Sequence, residues 1–366
     1  MSDTATADDT AGDADGVDVD RIMTLPKAEL HLHIEGTLEP ELVFELAARN
    51  GIALPFADIE DLRSRYSFSD LQSFLDLYYA ATIVLQTEAD FRALAEAYLD
   101  RAAAQGLRHV ELFFDPQAHT ERGVPIEAVI DGLASALEDA EERLGITGGL
   151  ILCFLRNLPV ESAMATLDSL GDRTSRILGI GLDSTEVGYP PELFTAVYAR
   201  ARDLGLHVVA HAGEEGPPAF VTDTLDLLRA ERIDHGIRSL EDPELVARLV
   251  AERIPLTVCP LSNVRLKVVD EIADHPLPAM IEAGILVTVN SDDPAYFGGY
   301  VGDNYVAIAR AFGFDDPALA ALARNSVIAS FASDSRKAEL AASIDDWLTD
   351  PSFVGRSAGG RPEERA

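Results

Sequence analysis

Eight short apolar runs recur along the chain, and longer segments with apolar residues at helical spacing lie between them. Continuous Val, Ile and Leu runs are typical of strands in a parallel sheet that is buried on both faces. The predicted strands are residues 28–33, 107–114, 150–155, 177–182, 207–212, 232–236, 255–261 and 285–291. A strand followed by a helix, eight times over, predicts an α/β chain folded as a (β/α)8 TIM barrel.

The connection between the first two predicted strands is much longer than a simple crossover needs. Helical patterns at residues 40–50, 68–83 and 88–105 fall within it, which predicts a helical cap at about 39–105 over the barrel mouth. We expect a single barrel domain over residues 21–352. Residues 1–20 contain seven Asp and no Lys or Arg, so they are predicted to be a disordered acidic tail, and residues 353–366 are interpreted in the same way.

The charge balance restricts the class of partner. The chain carries 63 acidic and 29 basic side chains, a formal net charge of -34, which repels phosphate polymers and anionic lipid surfaces. We therefore expect a small-molecule substrate and neither a nucleic acid nor a membrane as partner. The N-terminus lacks the basic and apolar regions of a secretory signal, which favours a cytoplasmic location. No pattern in the sequence specifies an oligomeric state.

Polar residues gather at the carboxyl ends of the predicted strands, where barrel enzymes place their catalytic groups. His31 and His33 are two residues apart on the first strand, so both side chains point into the barrel. The other polar residues at strand ends are His211, Glu214, His235, Asp292 and Asp293. Several imidazoles with a carboxylate and an open position are the ligands of a catalytic Zn²⁺ ion. A divalent metal site is therefore predicted.

Other residues of the same types fit structural roles. The remaining histidines, at strand starts or in loops, are interpreted as structural: His109, His119, His207 and His275. Barrel hydrolases with two metals commonly bridge them with a carboxylated lysine, but none of the three lysines ends a central strand. One Zn²⁺ per chain is the prediction. Ser262 and Asn263 follow the seventh strand, where they could equally line the pocket or form a turn.

Five motifs carry a resemblance to a known family. They are LPKAELHLHIEGT at 25–37, HAGE at 211–214, DHG at 234–236, CPLSN at 259–263 and NSDDP at 290–294. From about residue 25 to 348 the chain resembles the adenosine and adenine deaminases of the amidohydrolase superfamily. The resemblance implies a barrel of the metal-dependent hydrolase type.

The resemblance also implies a role for each site residue. The zinc ligands would be four side chains: His31, His33, His211 and Asp292. Zinc lowers the pKa of bound water and gives a hydroxide that attacks C6 of an aminopurine. Glu214 would protonate N1 as a neutral acid, His235 would orient the hydroxide, and Asp293 would hold the hydroxide or the purine N7. On a regular strand neighbouring side chains point to opposite faces, so both aspartates reach the site only if the chain curls.

Two departures from the adenosine deaminase pattern concern the substrate. Those enzymes read His-Leu-Asp-Gly where this chain has His33-Ile-Glu35-Gly, and the longer Glu35 side chain would extend into the space of the ribose. They also carry a glycine beside the purine where this chain reads DSTE at 183–186. The closer resemblance is to the adenine deaminase branch, which converts adenine to hypoxanthine and ammonia in purine salvage. The predicted substrate-binding residues are Asp293, His33 and Glu35.

Alternative functions differ in the features they require. Adenosine is the second candidate substrate, and N6-substituted adenines are a third, because one methylene shifts specificity by only about 1 to 3 kcal/mol. An inactive relative that binds a purine or a protein partner would have lost a ligand or the acid, and all seven residues are present. Deaminases of the Cys/His zinc type are excluded because their Pro-Cys-x-x-Cys signature is absent.

Overall fold

Eight parallel strands form the centre of the molecule in a computed structural model that describes residues 16–69 and 71–350. They are β1 (Lys27–His33), β2 (Leu107–Phe114), β3 (Thr147–Leu155), β4 (Ile177–Asp183), β5 (His207–Ala212), β6 (Arg232–His235), β7 (Pro255–Val258) and β8 (Leu286–Val289). Each strand pairs in parallel with the next along the chain. The predicted (β/α)8 barrel is confirmed.

The barrel closes between its last and first strands at residues that the sequence assigns to the metal. His33 N donates to the carbonyl oxygen of Asp292 at 3.0 Å, and Asp292 N donates to His31 O at 3.1 Å. At the residue before His31, Leu30 N donates to Asn290 Oδ1 at 2.8 Å. Barrel closure therefore fixes the backbone of three predicted ligands relative to one another.

Helices surround the barrel and extend beyond its last strand. They are α1 (Val19–Thr24), α2 (Pro40–Asn50), α3 (Ile59–Ser64), α4 (Leu71–Thr82), α5 (Glu88–Ala104), α6 (Pro116–Thr120), α7 (Ile126–Leu144), α8 (Val160–Ser169), α9 (Thr195–Asp203), α10 (Pro218–Asp223), α11 (Pro243–Glu252), α12 (Pro260–Arg265), α13 (Leu277–Glu282), α14 (Pro294–Phe297), α15 (Val301–Phe312), α16 (Asp316–Ala329) and α17 (Asp334–Thr349). The amphipathic segments between strands become helices because only one stripe of each can be buried against the sheet.

The cap is smaller than the predicted 39–105. Helix α5 packs beside α7 in the outer ring, and the approach is so close that a Cβ on Gly132 would lie 2.4 Å from Glu88 O. Helices α2, α3 and α4 remain as the insertion. Phe74 of α4 packs on Phe297 of α14 with ring centroids 4.7 Å apart, so the cap rests on the helix that follows Asp293.

Several predicted boundaries shift by a few residues, and two of the shifts have a clear physical cause. The seventh strand ends at Val258 instead of residue 261, because Pro260 lacks an N–H for the ladder and begins α12 instead. The predicted acidic tail is shorter than 1–20, because Asp18 Oδ1 accepts from Arg21 N at 3.0 Å and caps α1. Residues 1–15 and 353–366 of the predicted tails lie outside the described residues. Within the described part of the chain, no helix combines the length and apolar character needed to cross a bilayer.

Candidate active site

Three histidines at the ends of β1 and β5 point their Nε2 atoms at one spot. His31 Nδ1 lies 2.9 Å from Thr257 Oγ1, and that hydroxyl donates to Asp234 Oδ1 at 2.8 Å. Thr257 Oγ1 is thus left to accept a hydrogen bond from His31 Nδ1–H. This tautomer leaves the lone pair of His31 Nε2 free, and Nε2 has no hydrogen-bond partner among the described residues.

The same logic applies to the other two rings. His33 Nδ1 lies 3.5 Å from Asp183 Oδ2, and His211 Nδ1 lies 3.6 Å from Asp234 Oδ2. Both carboxylates favour a proton on Nδ1, so the Nε2 atoms, only 3.2 Å apart, face each other with their lone pairs. Carboxylates behind ligating histidines are the usual second layer of a metal site.

Asp292 completes this group because the backbone curls after β8. Asp292 has a φ of +65°, in the left-handed region, which turns its side chain inward beside that of Asp293. Its Oδ1 lies 3.2 Å from His31 Nε2 and 3.5 Å from His33 Nε2. Ser262 Oγ donates to Oδ2 at 2.6 Å. Ser262 therefore orients a predicted ligand, whereas Asn263 bonds His275 at 3.0 Å and takes part in a structural contact.

The protonation states of this group suit a divalent cation. Burial lowers the pKa of His33 to about 4 and that of His211 well below its usual range, so both shifts favour neutral rings that can ligate. Burial alone would raise the pKa of Asp292, but His31 and the other imidazoles outweigh it and keep this carboxylate ionised. Burial alone would lower the pKa of His31, but Asp292 and Asp234 outweigh it and raise that pKa. Three imidazole nitrogens and one carboxylate are a typical zinc donor set, and one open position would remain for water.

His235 lies close enough to this group to compete for a ligand position. His31, His211, His235 and Asp292 each offer an atom within 4.8 Å of the others. The Nε2 atom of His235 is 3.8 Å from Asp292 Oδ2 and 3.6 Å from Glu214 Oε2. Neither His235 Nδ1 nor His211 Nδ1 has a hydrogen-bond partner among the described residues, but His211 Nδ1 has the Asp234 carboxylate 3.6 Å behind it. The φ of +60° at His235 is a strained conformation that aims the ring at the site.

The loop that carries Glu214 is held by a carboxylate from the segment that follows the neighbouring strand, β4. Glu186, which follows β4, accepts from the backbone N–H groups of Gly213, Glu214 and Glu215 at 2.9, 2.9 and 3.2 Å. Burial, followed by the charges of Asp292 and Glu186, raises the pKa of Glu214 well above its usual range. This shift favours the protonated carboxylic acid, which can donate a proton.

Asp293 is placed by a close approach of the first loop. A Cβ on Gly36 would lie 2.0 Å from Asp293 Oδ1 and 2.7 Å from Asp293 Cα, so the HIEG motif requires glycine at this position. Burial and the charge of Asp292 raise the pKa of Asp293 well above its usual range. Burial and the neighbouring His31 lower the pKa of His235 to about 3, so its ring is neutral and can accept a proton.

A cavity of about 460 Å³, including its opening, connects these groups. Helix α4 of the cap supplies its apolar wall with Leu71, Phe74, Leu75 and Tyr78. The polar residues on the wall are His33, Asp115, Asp183, Ser184, His211, Glu214, His235, Asp292 and Asp293. A pocket that combines an apolar wall with convergent polar groups is typical of a small-molecule site.

Glu35 differs from its prediction as a substrate-binding residue. It is fully buried behind the wall, where Oε1 accepts from His119 Nε2 at 2.8 Å and from Asp115 N at 3.1 Å. It is absent from the residues that line the cavity, so its carboxylate does not face the space for a substrate. His119 is thereby explained as a structural histidine, as predicted.

Asp115 and Asp183 are site residues that the sequence reasoning missed. Asp115 directly follows β2 and Asp183 ends β4, so both stand at carboxyl ends of barrel strands like the predicted residues. Burial raises the pKa of Asp183 to about 7 and that of Asp115 well above its usual range. The sequence did contain a signal for both residues, because each stands at the end of an apolar strand.

Comparisons with known proteins agree with this geometry. The model of the family described as Adenosine deaminase matches residues 26–347. An adenine deaminase of Streptomyces coelicolor is 64% identical over 315 residues, which cover 86% of this chain and 93% of that protein.

Solved structures extend the comparison. The crystal structure of adenine deaminase from Arthrobacter aurescens is 58% identical with a TM-score of 0.88, over 89% of this chain and 99% of that one. An amidohydrolase from Burkholderia ambifaria, crystallised with bound zinc, is 29% identical with a TM-score of 0.82, over 93% and 98% of the two chains. The resemblance drawn from the five motifs is confirmed: the chain belongs to the adenosine deaminase family.

Proposed function

We propose that this chain catalyses the hydrolytic deamination of adenine to hypoxanthine and ammonia, with one Zn²⁺ per chain, as a purine salvage enzyme of the cytoplasm. One observation carries the proposal: a buried Glu214, 3.6 Å from His235 Nε2, stands beside the converging ligand atoms in a cavity that has an apolar and aromatic wall. The adenine deaminases of S. coelicolor and A. aurescens, at 64% and 58% identity, support the choice of substrate.

The metal would be held by His31, His33, His211 and Asp292. The tautomers described above leave the Nε2 lone pairs of all three histidines free to ligate. Asp292 Oδ1 lies within 3.5 Å of the Nε2 atoms of both His31 and His33, which supports this set over one that includes His235. The chemistry that a bound zinc ion supplies is Lewis acidity, which makes water nucleophilic near neutral pH.

The protein groups move the protons. As the water oxygen adds to C6, an electron pair shifts to N1, and Glu214 donates its proton there. Neutral His235 accepts a proton from the attacking water and passes it to the departing amino nitrogen, which leaves as ammonia. The second proton of the water returns to Glu214, so adenine and water are converted to hypoxanthine and ammonia with all atoms accounted for.

Asp293 orients the ring for this reaction. Its carboxyl lies on the cavity wall next to Asp292, and its raised pKa favours a proton that it can donate to the purine N7. A hydrogen bond at N7 and another at N1 would fix the ring plane, so that C6 meets the nucleophile in one orientation.

The test is steady-state loss of purine absorbance and release of ammonia by purified, zinc-loaded protein, with adenine and adenosine in parallel. We expect adenine to be turned over, and we expect kcat/KM for adenosine to be at least 100-fold lower. This ratio corresponds to a difference of about 2.7 kcal/mol in activation free energy. Glu214→Gln, which keeps size but lacks the acid, is expected to lose about 10³-fold in kcat. Equal or faster turnover of adenosine would overturn the choice of base.

A further inference from the structure

One end of the cavity carries two carboxyl groups that take no part in the proton transfers of the proposed reaction. Asp115 and Asp183 line the wall at 4% and 2% exposure. Oδ1 of Asp115 and both oxygens of Asp183 accept no hydrogen bond from an N–H or hydroxyl group of the described residues, although the two carboxyl groups can share a proton between them. The remaining oxygen of Asp115 accepts only a long hydrogen bond, at 3.4 Å, from Tyr78 Oη. Buried acceptors without donors cost free energy, so these oxygens suit a ligand that brings an N–H.

These carboxyl groups lie beyond His33 from the predicted metal position. The Nε2 atom of His33 faces His211 at 3.2 Å, whereas its Nδ1 faces Asp183 Oδ2 at 3.5 Å. His33, Asp115 and Asp183 each have an atom within 4.8 Å of the others, which makes the acids one cluster. Ser184, the next residue, has a φ of +69°, so this wall is also locally strained.

The chemistry of the substrate matches this cluster. A purine with N1 at Glu214 and C6 near the metal ligands points its opposite edge, N3 and N9, away from them. In a free base N9 can carry a hydrogen, whereas in a nucleoside the sugar occupies that position. A carboxyl acceptor at this edge would therefore bind the base. It would disfavour the nucleoside for two reasons, a lost hydrogen bond and a steric clash with the sugar.

We propose that Asp115 and Asp183 form the recognition site for the N9–H edge of the free purine and exclude purines substituted at N9. This inference rests on the proposed function, because the orientation of the ring follows from N1 at Glu214. It assigns the choice between base and nucleoside to the ends of β2 and β4, and not to Glu35, which lies behind the wall.

The experiment compares adenine with 9-methyladenine, which differs only at N9. In the wild-type protein we expect kcat/KM for 9-methyladenine to be lower by about 10⁴-fold, typical of a site that loses a buried hydrogen bond. In Asp115→Ala that ratio is expected to fall at least tenfold, because KM for adenine rises while kcat stays within threefold. Asp183→Ala carries the same expectation for the ratio and provides the result if the first variant does not fold. Asp183 also faces the proposed ligand His33, so this variant is judged by the ratio alone, which does not depend on the fraction of protein that holds zinc.

The control and the contrary outcomes separate recognition from structure. Asp76→Asn changes an exposed carboxylate on α4, the cap helix that lines the cavity, and should leave the ratio unchanged. Wild-type turnover of 9-methyladenine within tenfold of adenine overturns the inference, and so does an unaltered ratio in both alanine variants. If adenine is not turned over at all, the proposed function fails. Calorimetric binding of purine against 9-methylpurine then tests the recognition site by itself.

Discussion

At the scale of single residues, neighbouring charges give adjacent carboxyl groups opposite states. Asp292 stands among imidazoles and stays ionised, whereas Asp293, next in the chain, faces the charge of Asp292 and favours its proton. Glu214 is likewise kept neutral by burial and by nearby carboxylates. Pairs of titratable groups with diverging pKa values are typical of acid–base catalysts.

The roles of His33 and His235 can be separated by metal content. His33→Ala removes a proposed ligand whose Nδ1 faces Asp183, so we expect zinc to fall well below one per chain together with activity. His235→Ala is expected to keep its zinc and to lose about 10²-fold or more in kcat, because it only moves a proton. Metal analysis of both purified variants checks this prediction. If zinc were lost from His235→Ala but retained by His33→Ala, His235 would be the metal ligand and His33 would not, which contradicts the proposal.

At the scale of elements, the ends of β4 and β5 are joined through a single side chain. Glu186 accepts three consecutive backbone N–H groups of the loop that carries Glu214, so it determines where the acid stands. Its charge is also one cause of the raised pKa of Glu214. Glu186 is a positioning residue, because it acts on the substrate only through Glu214.

Glu186→Gln is predicted to shift the pH dependence of catalysis. Glu214 is active when protonated, so kcat/KM falls as pH rises through its pKa. Removing the neighbouring negative charge makes ionised Glu214 less unfavourable, lowers its pKa and moves the alkaline limb to lower pH. A pH profile of kcat/KM for adenine measures the shift, with the exposed Glu192→Gln as control. An alkaline limb at the same pH in all three proteins would contradict this account.

Strand order and strand ends explain how much of the site was predictable. Apolar runs predict the eight strands, and polar residues at their ends predict the ligand set, because barrel topology brings those ends together. Glu186, Asp115 and Asp183 were not assigned roles, since their partners come from other strands and no local spacing encodes such contacts. The left-handed φ of Asp292 was needed for both aspartates to reach the site, but no turn glycine marks it in the sequence.

At the scale of the whole molecule, a buried ion pair ties the barrel together away from the cavity. Glu111 of β2 accepts from Arg232, the first residue of β6, and from Phe331 N after α16. The guanidinium of Arg232 also lies 4.1 Å above the Phe331 ring. Burial alone would raise the pKa of Glu111, but Arg232 and His109 outweigh it and hold the pKa at about 2.

Removing this carboxylate is predicted to destabilise the fold without changing the site. Glu111→Gln leaves Arg232 buried without its counter-ion, so we expect the free energy of unfolding to fall by about 3 kcal/mol at neutral pH. The exposed Glu96→Gln, which loses one surface pair with Arg92, should change it by less than about 1 kcal/mol. Denaturant unfolding measures both, and equal stability of the two variants would refute the prediction.

The same pair predicts how wild-type stability depends on pH. The folded-state pKa of Glu111 is depressed from 4.5 to about 2. Its contribution is therefore complete above the unfolded value and is lost as pH falls from about 4.5 towards 2. Glu111→Gln should lose less stability than the wild-type protein across this window. Parallel loss in the two proteins would show that other carboxyl groups control acid unfolding.

The most direct test of the central claim is ammonia release from adenine as zinc is returned to chelator-treated protein. The account predicts almost no activity without metal, then a linear rise that levels off at one zinc per chain, because a single ligand set is formed at the strand ends. Glu214→Gln should bind the same amount of zinc and release almost no ammonia. Full activity of the metal-free protein, or no ammonia from adenine at any zinc content, would contradict the account.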